Sequence, residues 1–111
     1  MSLTVPDGST VLKDPSDIAV YQVDWDALHL AAAVTIATST FTVAAVRPSS
    51  ATVPTLDVTS PLGIQSGSRK AKVKVTGGTA GALYRVTHTI VTSETPAQTK
   101  ERSWYLKVEN L

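Results

Sequence analysis

Few residues in this chain can do chemistry, and their spacing decides what kind. There are two histidines, His29 and His88, and no cysteine. Without a thiol there is no disulfide, no thiolate zinc site and no cysteine nucleophile. A histidine-based metal site needs three or four ligands at workable spacing, and no cluster of His, Asp and Glu supplies them. His88 alternates in phase with Tyr84, Val86 and Ile90, which puts it on an apolar strand face beside a hydrogen-bond partner. His29 falls between strands and is expected in solvent.

The densest acidic group is Asp14, Asp17, Asp24 and Asp26. Carboxylates at that density suit calcium, but the central glycine and terminal glutamate of a calcium loop are missing. The better reading is structural: Asp14 and Asp17 accept turn N–H groups, and Asp26 caps the segment after it. Serines are plentiful, yet no Gly-x-Ser-x-Gly elbow occurs. The glycine run at 77–81 lacks the Lys-Ser/Thr of a phosphate loop and leads into a strand. No nucleophile–base pair can be assembled, so the chain is expected to be no enzyme and to carry no cofactor.

What remains is surface for contact. Lys70, Lys72 and Lys74 alternate along one strand face, with Arg69 beside them. They form a solubilising face, a guard on an edge strand, or a contact for an acidic partner. No aromatic stripe accompanies them for base stacking, and a net charge of +1 gives no pull toward nucleic acid or anionic membrane. Residues 47–54 read as the longest loop, beginning Arg47, Pro48, Ser49, Ser50. Tyr105 is the one aromatic on an outward phase. These nine residues are the candidate interface. A carbohydrate-binding or adhesion module, the alternative, would expose more aromatics than Tyr105; a small-molecule site is not indicated.

The elements that position these residues are strands. Thr, Ser and Val dominate, and β-branched side chains fit a pleated surface. Period-two alternation runs through 19–25, 38–43, 70–75, 84–90 and 103–108. Turn signals separate the runs at 14–17, 76–81 and 92–99. Only 26–33 has helix propensity, and it reads as a crossing loop with at most a helical turn. Trp25, Phe41, Tyr84 and Trp104 are the expected core aromatics. Tyr84 follows a glycine turn and enters a strand, as in the tyrosine corner of immunoglobulin-like domains. The expected fold is all-β: an immunoglobulin-like antiparallel β-sandwich of about seven strands.

With 111 residues and 42% hydrophobic content the chain supports one core. Residues 13–111 form the expected sandwich domain. Residues 1–12 are too polar to pack fully and are expected as an N-terminal arm that orders against neighbours. They have neither the basic start nor the apolar core of a signal peptide. The most apolar stretch, 28–37, is far short of a membrane span. A soluble protein made in the cytoplasm is expected.

Three stretches resemble a family of small tailed-bacteriophage and prophage virion proteins. They are 13–25 (Lys-Asp-Pro through Asp-Trp), 36–43 (Ile-Ala-Thr-Ser-Thr-Phe-Thr-Val), and 75–90 (with Gly-Gly-Thr-Ala-Gly before Tyr-Arg-Val-Thr-His-Thr-Ile), closing with Glu-Arg-Ser-Trp at 101–104. Phe41 stands where the family has Trp, and Trp104 where it has Phe. The resemblance implies an immunoglobulin-like structural protein at the neck or tail of the virion, an adaptor linking tail or head–tail connector to fibres. It implies a cyclic homo-oligomer around the tail axis, synthesis in the host cytoplasm, and no catalytic residues.

Overall fold

The computed structural model describes residues 2–5, 8–25, 30, 33–59, 61–65, 67 and 69–110. Among these residues the chain forms nine strands and no helix: β1 (Ser2–Thr4), β2 (Thr10–Lys13), β3 (Ile18–Asp24), β4 (Ile36–Arg47), β5 (Thr55–Asp57), β6 (Gly63–Ile64), β7 (Lys70–Thr76), β8 (Leu83–Thr92) and β9 (Thr99–Val108). They make two sheets. One runs β1-β3-β7-β5, with β6 also on β7; the other runs β2-β9-β8-β4. The two sheets pack face to face in a β-sandwich-like arrangement.

Alternation decides what lies between the sheets. On β3 and β7 the inward residues Tyr21, Val23, Ala71, Val73 and Val75 are buried. Tyr84, Val86, His88 and Ile90 of β8 and Trp104, Leu106 and Val108 of β9 meet them from the other sheet. Trp25, Tyr84 and Trp104 are core aromatics, as their phase requires. Phe41 is only half-buried, because β4 is the last strand of its sheet. Its ring still makes an edge contact with Trp104, centroids 6.2 Å apart.

The turns follow their chemistry. Asp14 Oδ1 accepts from the Ser16 N–H at 2.8 Å, and the Asp17 N–H donates to the Asp14 carbonyl. In the 77–82 turn Gly78 has φ +101°, and a Cβ there would lie 2.9 Å from Val108 Cγ2. Only glycine fits that position. The Tyr84 hydroxyl crosses this turn, accepting from the Thr79 N–H (2.8 Å) and donating to the Thr52 carbonyl (2.7 Å). One side chain thus ties the start of β8 to its own turn and to the β4–β5 loop.

The structure departs from expectation at the N-terminus. Instead of an arm that orders only against neighbours, the described residues of 1–12 contribute to both sheets. β1 pairs parallel with β3 and β2 parallel with β9, and a boundary after residue 12 cuts through β2. Threonine and valine suffice for pairing where the backbone, not the side chain, supplies the bonds. Lys13 then locks the segment down. It is 1% exposed, and its Nζ donates to the carbonyls of Asp14 and Gly77. Burial pulls its pKa below the usual lysine value, against the opposing pull of Asp17 and Asp14. The count of nine strands exceeds seven because β1, β2, β5 and β6 are short and lack readable alternation. The proposed crossing loop or turn at 26–33, with the Asp26 cap and His29, lies mostly outside the described residues.

Candidate interaction surface

His88 has the partners its phase implies. The Trp25 indole N–H donates to His88 Nδ1 at 3.0 Å, so the neutral ring carries its proton on Nε2 and donates to Ser39 Oγ at 2.7 Å. Phe41 stacks on the ring at 4.0 Å between centroids. Burial lowers the His88 pKa to about 4. Both nitrogens are engaged and the ring is sealed, which makes it a structural bridge from Trp25, just after β3, through β8 to β4. Among the described residues no group of three or more His, Asp or Glu side chains gathers to hold a metal ion.

The nine candidate interface residues do not form one patch. Lys70, Lys72 and Lys74 do share the outer face of the five-stranded sheet. β7, however, is flanked by β3 on one side and by β5 and β6 on the other, so they guard no edge. Acids interleave with them: Lys74 Nζ lies 3.4 Å from Asp57, and Lys70 Nζ lies 3.9 Å from Asp24. Lys72 sits between Gln22 and Gly63 in the register. Two of the three lysines thus have an acidic neighbour, on a partly exposed face.

Arg69 is turned to the fold. Its guanidinium donates to the carbonyls of Val34 (2.6 Å) and Leu30 (3.1 Å), holding the segment that leads into β4. Arg47, Pro48, Ser49 and Ser50 are exposed at the far end of β4, where the Ala51 N–H closes a turn on the Pro48 carbonyl. Tyr105 lies on the outer face of the other sheet, half-buried, between Thr10 of β2 and Arg85 of β8. Among the described residues it is the sole aromatic on that face.

The candidate interface took in no part of β4 except Arg47, yet β4 is an end strand of its sheet. Among the described residues it is the longest strand, 12 residues, and pairs only with β8. From Ile36 to Val46 it carries no charge and no proline. Its outward residues Thr38, Thr40, Thr42 and Ala44 are exposed. Among the described residues nothing hydrogen-bonds to its other edge. On the opposite side of the molecule a cleft of about 440 Å³ opens between β2 and β3, lined by residues including Val11, Leu12, Ile18 and Tyr21. Leu12 and Ile18 at its rim are 54% and 66% exposed.

Comparison with known proteins adds one match. The family model described as "Podophage GP4 fiber-tail adaptor protein gp77" matches residues 13–107. No curated protein and no solved structure matches the chain.

Proposed function

Since the chain belongs to the podophage GP4 fiber-tail adaptor family, we propose that it is a non-enzymatic structural component of the virion tail region, joining fibre to tail through protein–protein contacts. The observation that carries this reading is the extent of the family match. It runs from the end of β2 almost to the end of β9, and so takes in both sheets.

The finer parts of the proposal have their own support. An immunoglobulin-like topology is supported by strand order: β1-β3-β7-β5 against β4-β8-β9 follows the ABED and CFG sheets of that fold. The Tyr84 hydroxyl acts as a tyrosine corner would. The bond from Trp25 to His88 links the strands that a disulfide joins in antibody domains. A place near the neck and a cyclic arrangement are supported by the family's role, since a tail component follows the symmetry of the tail axis. The exposed Arg47, Pro48, Ser49 and Ser50 and the lysine face remain candidate contacts with connector, tail or fibre.

The test is quantitative peptide mass spectrometry of density-purified particles against the major capsid protein. A fixed low copy number, about six or twelve per particle, is expected from axial symmetry. Absence from particles overturns the reading.

A further inference from the structure

We propose that β4 is a strand-pairing edge and that its occupant is β4 of a second copy of this chain, joined antiparallel across a two-fold axis near Phe41. A bare strand edge presents a row of unpaired N–H and C=O groups and is a template for another strand. Proteins that stay monomeric blunt such edges with charge, proline or shortness. β4 carries no charge and no proline over Ile36 to Val46 and is 12 residues long, and a bulge, the further such device, occurs only near its ends. Its register shifts fall only at its two ends, leaving Thr38 to Ala45 as one regular run against β8.

Three observations select a second copy over an unrelated strand. The first is length, because among the described residues the one exposed edge that matches a 12-residue strand is that same strand. The second is charge. The run is neutral, and its one charged residue, Arg47, sits at an end, so antiparallel pairing sends the two Arg47 side chains to opposite ends of the ladder. The third is Phe41. It stacks on buried His88 yet stays half-exposed, and a two-fold axis beside it sets Phe41 against Phe41 and covers its open flank. The same register places Thr40 opposite Thr42, a favourable cross-strand pair. The two four-stranded sheets would then continue as one. The contact is isologous, so copies enter any larger assembly in pairs. This inference stands on the edge itself and is independent of the adaptor reading.

Sedimentation of the purified full-length chain tests it. The wild type is expected to dimerise reversibly. Thr40→Lys, at an exposed position on the paired edge, is expected to weaken dimerisation about tenfold or more. Thr10→Lys, exposed on β2 at the other end of the sheet, is expected to leave it unchanged. Circular dichroism shows whether each variant is folded. A wild type that is monomeric up to its solubility limit overturns the proposal. So does a dimer that Thr40→Lys leaves intact, or one that Thr10→Lys disrupts equally. Presence in or absence from particles does not bear on these outcomes.

Discussion

β7 and β4 occupy opposite positions and have opposite compositions. β7 lies inside its sheet with strands on both sides, its inward Ala71, Val73 and Val75 are 0% exposed, and its outer face carries three lysines. β4 lies at an edge, and carries no charge until Arg47. A chain built to stay alone would put the lysines on β4. The contrast teaches that an alternating lysine pattern reports which face of a strand is wet, and is silent on which edge is bare. Among the described residues the charged strand is flanked by strands on both sides and the uncharged one on one side.

The largest expected effect breaks the inside of β7. Val73→Asp puts a carboxylate into the core and is expected to cost about 4 kcal/mol or more, enough to leave little cooperative thermal unfolding. The matching change on β4, Thr40→Lys, is expected to alter monomer stability by no more than about 0.5 kcal/mol. Equal losses in the two variants would erase the distinction between them.

Next in size is the pH dependence of the bridge that holds the inner side of β4. His88 has a folded pKa of about 4 against an ordinary 6.5, lowered by burial. Its contribution is complete above pH 6.5 and is lost as pH falls, because the unfolded chain takes up the proton first. The loss is about 2 kcal/mol by pH 5 and about 3 kcal/mol by pH 4. Urea unfolding of wild type and His88→Gln at pH 7, 6 and 5 measures it: the wild type should weaken and the variant should stay nearly flat. Tyr21 sets a second limb. Burial, with help from Asp17, raises its pKa to about 12, so its contribution holds below the ordinary value of 10 and is lost as pH rises through 12.

A smaller effect is expected at the loop that ends β4. Tyr84→Phe removes the bonds to Thr79 and Thr52 and should cost about 1–2 kcal/mol, read by chemical denaturation. Unchanged stability would mean that the hydroxyl does not pin the β4–β5 loop. The smallest effect belongs to the lysine face: Lys72→Ala should shift stability by less than about 0.5 kcal/mol. A larger shift would show that the face is not merely wet.

Much of the fold was legible because both faces of each long strand are chemically distinct. Tyr21 and Val23 against Gln22 and Asp24, or Val73 and Val75 against Lys72 and Lys74, announce their direction. Tyr84 beside its glycine turn was legible for the same local reason. β1, β2, β5 and β6 were not, because two to four residues carry no period and their pairing depends on distant backbone. The β2 lysine, Lys13, is buried by a carbonyl 64 residues away at Gly77, which no local pattern encodes. Arg69 read as a surface cation, whereas its guanidinium holds the backbone at Leu30 and Val34. The edge position of β4 was not legible from its neutral, proline-free run alone, because an edge is defined by which strands pair, not by one strand's residues.

Whether that edge is where this chain makes contact is most directly measured by residue-resolved amide hydrogen exchange on the free protein at low and high concentration. The β4 amides that point away from β8 are expected to gain protection as concentration rises, while those of β7 are protected throughout. If the outward β4 amides exchange freely at every concentration, the edge pairs with no second copy and the contrast between the two strands carries no functional meaning.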